Sequence, residues 1–198
     1  MKTKTNGKHT RQKILDAALQ HFSRRGFFET RVDEIARAAG VAKGTVYLYF
    51  KDKPAIYIAA IDEHFRDAMA SLRAVEAGRT RPRRKLEDIA DNFVRHMTRF
   101  ESSWPMITLE NINLAGRVLK ELRSVIMSHM HDVTQLIARI IDEGITRGEF
   151  RRVDAEVAAI HFLSAVRTAF VAGVICGKRR ADCKLAFDLF FKGLQKRR

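Results

Sequence analysis

The feature that most constrains this chain is the spacing of its apolar residues, which recur every three or four positions along nearly its whole length. The first such stripe contains Ile14, Ala18 and Phe22. This is the period of an α-helix with one buried face, and we find no alternation of the kind that marks a half-buried strand. The sequence therefore predicts an all-α fold of about nine helices.

Several helix ends can also be predicted. Glycine and proline mark the ends of helices, and a carboxylate just before a helix can cap it. We expect Gly26 to end the first helix, Asp52 to cap the fourth, Pro105 and Gly116 to frame the sixth, and Asp154 to cap the eighth. Residues 78–85, GRTRPRRK, are expected to form a linker before a fifth helix that begins at Leu86.

Residues 30–49 predict a helix-turn-helix. Thr30 is expected to cap a short helix, and Gly40 can adopt the left-handed backbone conformation that a tight turn after it requires. Ile35 and Val46 are expected to pack against the first helix of the chain. The outer face of the second short helix is then free to enter a DNA major groove.

The stretch GVAKGTVYLYFKDK, residues 40–53, mixes lysines with tyrosines, a composition that suits neither a core nor an ordinary solvated loop. Lysine can bind phosphates or guanine acceptors, and threonine can contact a phosphate or a thymine methyl group. Tyrosine hydroxyls can donate to phosphate oxygens. Glycine has no side chain, so a DNA backbone could approach the helix closely at that position. The candidate DNA-binding residues on this stretch are Lys43, Gly44, Thr45, Tyr47, Tyr49 and Lys53.

The charge of the chain supports an anionic partner. Its 37 Lys and Arg residues exceed its 23 Asp and Glu residues, which gives a net charge of +14. Residues 1–60 contain 12 basic and 5 acidic residues, so they carry +7 of this excess on less than a third of the chain. This distribution indicates a localised anion-binding face, for nucleic acid or for an anionic membrane surface.

Residues 10–61, which run from TRQKILDAALQHFSRRGFFETR through VDEIARAAGVAKGTVYLYF to KDKPAIYIAAI, resemble the DNA-binding domain of the TetR/AcrR family of bacterial repressors. The resemblance implies that five of the residues named above contact DNA and that Thr30 meets a phosphate; the five are Lys43, Thr45, Tyr47, Tyr49 and Lys53. Two positions depart from the family pattern. Ala42 stands where a serine or threonine cap is usual, and Pro54 replaces an acidic residue.

The resemblance also implies a domain organisation and a mechanism. Residues 1–53 are expected to form the helix-turn-helix DNA-binding domain, and residues 54–198 a helical effector-binding and dimerisation domain. The expected function is that of a dimeric, ligand-responsive transcriptional repressor bound to a palindromic operator. A small molecule entering the C-terminal domain would shift the fourth helix and release the DNA.

The last two predicted helices favour a homodimer. Between Ala155 and Cys176 apolar residues occur nearly all around the helix, whereas a surface helix has one apolar stripe. A helix over about 181–195 repeats the pattern with Phe187, Phe190 and Leu194. Two such helices from each of two chains would form a four-helix bundle. The alternative is a fully internal helix in a monomer.

A ligand site is expected among the helices of the C-terminal domain. Large apolar residues would enclose a hydrophobic or amphipathic molecule, and polar residues would orient it. Arg167, in an otherwise apolar helix, could also pair with an acidic group or extend to the surface. The candidates are Phe93, Met97, Phe100, Trp104, Met106, Glu110, Asn113, His161 and Arg167.

Other classes of function find less support in the sequence. Cys176 and Cys183 form neither a metal motif nor a disulfide framework, so no cofactor or metal is predicted and a reducing cytoplasm is expected. No nucleophile–base set suggests an enzyme. Charged residues interrupt the most apolar segment, which argues against a membrane span. A non-specific architectural DNA-binding protein and a membrane-surface role for GRTRPRRK, residues 78–85, remain as alternatives.

Overall fold

The computed structural model describes residues 2–99, 116–175 and 181–195; the side chains of 2–6, 94–99, 117, 169–175 and 181–186 are outside this description. The described residues form helices and no strands, so the all-α prediction is confirmed. The helix predicted between Pro105 and Gly116 lies outside the described residues. The helices are α1 Lys2–Glu29, α2 Val32–Ala38, α3 Lys43–Tyr49, α4 Lys53–Ala77, α5 Pro82–Arg99, α6 Gly116–Thr146, α7 Ala155–Ile175 and α8 Ala181–Leu194.

The chain divides into two compact units. Unit 1 comprises Met1–Asp67 with Phe100–Ser128, and unit 2 comprises Ala68–Arg99 with His129–Arg198. Helices α4 and α6 each continue from one unit into the other. The domain boundary predicted after residue 53 falls in the first turn of α4 and stays a prediction.

The core of unit 1 is built from one face of each of α1–α4, together with Leu122 of α6. Ile14, Phe22, Ile35 and Val46 are fully buried, as their spacing predicted. The ring of Tyr57, also fully buried, meets the ring of Phe22 edge-on at 5.0 Å between centroids. Burying each such side chain stabilises a domain by roughly 1.5–3 kcal/mol. This core holds the short helices α2 and α3 in a fixed arrangement against α1 and α4.

The turn between α2 and α3 is set by Gly40, whose φ of 68° lies in the left-handed region. The N–H of Gly40 donates to the carbonyl of Arg37 at 3.1 Å, and the N–H of Val41 donates to that of Ala36 at 3.0 Å. This pair of bonds is a Schellman motif, which satisfies carbonyls that the end of a helix leaves open. The prediction for Gly40 is confirmed.

Of two predicted helix ends near residue 30, one was wrong and the other was right in part. Thr30 does not cap α2; the first residue before that helix is Arg31, whose N–H donates to the Glu34 carboxylate at 3.1 Å. That bond holds the pKa of Glu34 below its usual value. Gly26, expected to end α1, has a non-helical backbone with φ 76° and ψ 177°, so it interrupts the regular helix with a kink, and a short helical stretch follows to Glu29.

The capping of α4 follows the sequence. Asp52 accepts a hydrogen bond from the N–H of Ala55 at 2.8 Å. Pro54 lies in the first turn, where the N–H that proline lacks has no partner inside the helix. The substitution that departs from the family pattern therefore leaves the start of α4 intact.

In unit 2, α5 begins earlier than expected, at Pro82 inside the segment predicted as a linker. Lys85 is buried, and its ammonium pairs with Glu143 of α6 at 2.9 Å. Arg84 pairs with Asp88 four residues later at 3.0 Å. A charge run that looked solvated is thus accommodated by ion pairs on a helix, and only residues 78–81 lie outside the helices.

Helices α7 and α8 pack on each other in unit 2. The rings of Phe162 and Phe190 meet edge-on at 5.2 Å, and both side chains are buried. Asp154 accepts a hydrogen bond from the N–H of Val157 at 2.9 Å and so caps α7, as predicted.

Candidate nucleic-acid interface

Helix α3 is attached to unit 1 by one buried side chain, Val46. The remaining residues of this seven-residue helix surround it with polar, aromatic and aliphatic groups. Tyr47 is 45% exposed and Leu48 is 84% exposed. Lys43 and Gly44 are also exposed, and Thr45 is half-buried. Most of the surface of α3 is therefore accessible to a large partner such as a DNA duplex.

Lys43, at the start of α3, already has an anionic partner within the protein. Its ammonium lies 2.7 Å from a carboxylate oxygen of Asp33 on α2. The hydrogen bond between them lowers the pKa of Asp33 and raises the pKa of Lys43. Asp33 is therefore ionised at neutral pH, and a phosphate or base that binds Lys43 must compete with it.

The structure gives Lys53 an anchoring position. Its ammonium donates to the carbonyls of Phe28 at 3.0 Å and Thr30 at 2.8 Å. It also lies 4.6 Å from the centre of the Phe27 ring. Partial burial lowers the pKa of Lys53. The side chain fixes the start of α4 against the α1–α2 connection, so its contact with DNA stays a prediction that competes with this role.

Thr30 is the candidate that the structure corrects most clearly. The residue is fully buried, and its hydroxyl donates to the carbonyl of Gly26 at 2.7 Å. A buried hydroxyl that already has an acceptor cannot reach a phosphate without local unfolding. Thr30 therefore closes the kinked end of α1, and we remove it from the DNA-contacting residues.

Leu48 is the surface residue that sequence reasoning missed. Two residues beyond the buried Val46, its side chain lies about 200° further around the helix, on the opposite face. The position of Val46 alone was therefore enough to predict that Leu48 is exposed. A leucine this exposed at the centre of a polar face is suited to contact a thymine methyl group.

The predicted ligand residues are mostly outside the described structure. Phe100, Trp104, Met106, Glu110 and Asn113 lie in the undescribed segment, and the side chain of Met97 is also not described. Of the others, Phe93 packs beside the core of unit 2, whereas His161 and Arg167 are exposed on α7. The described residues do not bring these three together, and the ligand site stays a prediction.

The described ranges contain neither a metal centre nor a membrane-spanning helix. No group of His, Cys, Asp and Glu there could hold a metal ion. None of the helices described is long and apolar enough to cross a membrane.

Comparison with known proteins agrees with this geometry. Residues 14–60 match the family of bacterial regulatory proteins called tetR, and residues 110–178 match the tetracyclin repressor-like C-terminal domain. The chain is therefore a helix-turn-helix DNA-binding transcription regulator. It belongs to the TetR family.

Individual relatives cover different parts of the chain. It is 50% identical over 56 residues to the HTH-type transcriptional regulator AcrR of Shigella flexneri, a match that covers 28% of this chain and only 26% of that protein. It is 28% identical over 138 residues to the fatty acid metabolism regulator protein of Bacillus subtilis, covering 70% of this chain and 69% of that one. The solved structure of FadR from Bacillus subtilis in complex with stearoyl-CoA has the same fold. Its TM-score is 0.70 at 20% identity, with 90% of this chain and 95% of that chain covered.

The pair between Asp33 and Lys43 leads to the first prediction. Asp33→Asn should tighten binding to duplex DNA severalfold and steepen its salt dependence, because it frees Lys43 and removes a negative charge beside α3. Each additional phosphate contact should steepen the slope of log K against log salt by about 0.9. Fluorescence anisotropy titrations over a series of KCl concentrations measure both quantities.

The matched control is Asp16→Asn, which makes the same charge change on the exposed side of α1, where Asp16 accepts from Gln12 at 3.1 Å. Equal effects of the two substitutions would show that the gain is a general charge effect and that Asp33 does not restrain Lys43.

Proposed function

We propose that the protein is a dimeric transcriptional repressor that binds a palindromic operator through α3 and releases it when a small hydrophobic or amphipathic effector binds. The observation that supports the proposal is the exposed face of α3. The buried side chain of Val46 and the Schellman turn at Gly40 fix this helix on unit 1 so that the opposite face stays accessible. A short helix fixed in this way can enter a major groove with its first residues on base edges. The site of action is the cytoplasm, where a bacterial operator lies.

The contacts proposed for α3 divide into two kinds. Tyr47 and Tyr49 bind phosphates and fix the register of the protein on the duplex. Lys43, Thr45 and Leu48 face base edges and supply the sequence preference. Gly44, where an added β-carbon would have no neighbour within 4 Å, lets the helix backbone approach the groove closely.

A second copy of the chain supplies the second half-site contact. Val157 and Ile160 on α7 and Leu189 on α8 are more than half exposed, at 63%, 56% and 63%. A surface groove of about 290 Å³ lies beside them, lined by Val157, His161, Leu189 and Phe190 among others. Exposed apolar patches of this kind mark protein interfaces. Pairing α7 and α8 with the same helices of another copy covers them in a symmetric interface.

The dimer face leads to the second prediction. Ile160→Glu should convert the dimer to a monomer, because it places two like charges in an apolar interface about a two-fold axis. Light scattering after size exclusion measures the mass, and operator affinity should fall with it because one α3 contacts too few bases. Met127→Glu, at another exposed apolar position on α6, serves as the control. An Ile160→Glu variant that stays dimeric would refute this interface.

Release of DNA is proposed to depend on a displacement of α4. This helix begins at Lys53, which holds the α1–α2 connection, and continues into unit 2. An effector that binds unit 2 better when α4 is displaced shifts the population toward a state whose two α3 helices no longer match successive major grooves. The ligand needs only this difference in affinity between the two states.

The first effector to test is a long-chain acyl-CoA, because the FadR structure contains stearoyl-CoA and its Bacillus subtilis relative is a fatty acid metabolism regulator. Stearoyl-CoA should displace a preformed protein–DNA complex in an anisotropy titration, and free CoA should not. If free CoA and stearoyl-CoA leave the complex equally intact, the acyl-CoA proposal is wrong. A reporter screen with other amphipathic molecules then identifies the effector class.

A further inference from the structure

The first turns of α1 form a basic extension that the helix-turn-helix alone does not explain. The family domain begins at residue 14, whereas α1 begins at Lys2. Residues 1–13 contain five basic residues and no acidic residue; they are Lys2, Lys4, Lys8, Arg11 and Lys13. Residues 2–13 of a helix span about 18 Å, which exceeds the ~12 Å width of the major groove.

The extension lies against the C-terminal end of α3. A β-carbon placed on Gly7 would lie 3.5 Å from the phenol oxygen of Tyr49. One turn further along α1, the guanidinium of Arg11 lies 5.6 Å from the centre of the Phe50 ring and 3.7 Å from the Glu63 carboxylate. These interactions fix the position of the extension next to the end of the helix that faces DNA.

Two basic side chains of the extension, those of Arg11 and Lys8, differ in whether they already have a partner within the protein. Arg11 is held by Phe50 and Glu63. Lys8 is exposed, and within the part of the chain that the structure describes it forms no ion pair or hydrogen bond. Lys8 follows Gly7 in α1 and lies about 100° further around the helix, so its long side chain can reach a phosphate that neighbours the one bound by the Tyr49 hydroxyl. The long flexible stem of a lysine suits it to follow a phosphate backbone.

We propose that this α1 extension is a second DNA-binding surface, which contacts the phosphate backbone flanking the half-site that α3 reads. The inference rests on the proposed function, because it takes α3 to be in the groove. Its expected partner is duplex DNA of any sequence, since phosphate contacts position a protein without reading bases. The extension therefore adds affinity and salt dependence and leaves sequence preference to α3.

The test compares two charge-matched variants of the full chain. One is Lys2→Gln/Lys4→Gln/Lys8→Gln, and the other is Arg79→Gln/Arg81→Gln/Arg152→Gln at exposed positions of unit 2. The DNA is a duplex enriched by selection from a random pool, and a scrambled duplex serves as the reference. Anisotropy gives Kd against KCl concentration for each, and hydroxyl-radical footprinting locates the protected sugar-phosphates. Thermal unfolding checks that each variant is folded.

The lysine variant should bind both duplexes about tenfold more weakly near physiological salt, with a slope shallower by about 0.9 for each phosphate that it no longer binds. Its ratio of selected to scrambled affinity should be unchanged, and protection should disappear only outside the half-sites. If slope and footprint match those of the arginine variant, the inference is overturned. Failure of the wild-type chain itself to prefer the selected duplex would instead contradict the proposed function.

Discussion

Leu48→Glu is expected to weaken operator binding at least a hundredfold while leaving the fold and the thermal stability nearly unchanged. The side chain is 84% exposed, so a glutamate there adds no buried charge. In the complex the same carboxylate would face base edges and phosphates at the centre of the α3 surface. The carboxylate would lose water and be repelled by the phosphates. Like-charge contacts at an interface cost several kcal/mol, which corresponds to a loss of affinity of about a hundredfold or more.

The control for Leu48→Glu is Met127→Glu, which also replaces an apolar side chain of unit 1 that is more than half exposed, at 56%. Both variants lower the net charge by one per chain, so a general electrostatic effect changes both equally. Circular dichroism and anisotropy measured on the same samples separate folding from binding. Equal affinities for the two variants would mean that α3 does not lie in the groove.

Gly144→Ala is expected to lower the free energy of unfolding by about 2 kcal/mol, although alanine ordinarily favours a helix over glycine by about 1 kcal/mol. A β-carbon at this position of α6 would overlap Cδ2 and Cε2 of the Phe150 ring and lie 3.1 Å from its Cγ. Phe150 is buried, so its ring cannot move without disturbing the core of unit 2. Overpacking of this kind costs about 1–3 kcal/mol.

The backbone explains why Phe150 lies there. Gly148 has a φ of 73°, and the N–H groups of Glu149 and Phe150 both donate to the carbonyl of Gly144, at 2.9 and 3.1 Å. This turn folds the chain back on the last turn of α6 and brings the aromatic ring over the only residue type without a β-carbon. The packing of the Phe150 ring therefore requires glycine at position 144.

The sharpest test of this packing is a double-mutant cycle followed by urea unfolding at one fixed protomer concentration. In a Phe150→Ala background the ring is gone, and Gly144→Ala should then stabilise the protein by roughly 0.5–1 kcal/mol. Gly44→Ala, at a helical position where an added β-carbon has no neighbour within 4 Å, should also not destabilise it. A Gly144→Ala effect of the same size with and without Phe150 would rule out the steric account.

Sequence reasoning succeeded where a single local requirement decides the structure. Gly40 was predicted from the need for a left-handed turn, and Val46 and Ile35 from helical spacing; all three are confirmed. Asp52 and Asp154 cap their helices as expected, because a carboxylate just before a helix has N–H groups within reach.

It failed where a tertiary contact competes with the local one. Thr30 was expected to cap α2, but its hydroxyl is drawn to the carbonyl of Gly26 at the kink of α1, and Glu34 takes over the capping. Lys85 looked like part of a solvated linker, yet Glu143, 58 positions away in sequence, makes its burial possible. Neither competing partner is visible in a local sequence window.

The candidate interface was predictable in part. The candidate lysine and tyrosines of α3 were predicted from composition and from the turn before them, whereas Leu48 was not among the candidates. The α1 extension has no apolar stripe, so periodicity gives no helix signal before Ile14. Its helix continues a stable one and rests on Tyr49 and Phe50, which only the three-dimensional arrangement shows.

The measurement that tests the central claim most directly is the binding of the wild-type chain to a duplex enriched from a random pool, in competition with a scrambled duplex of equal length. The account predicts a preference of at least about a thousandfold at physiological salt, a steep fall in affinity as KCl rises, and two chains bound per duplex. Equal affinity for the enriched and scrambled duplexes at every salt concentration would contradict it.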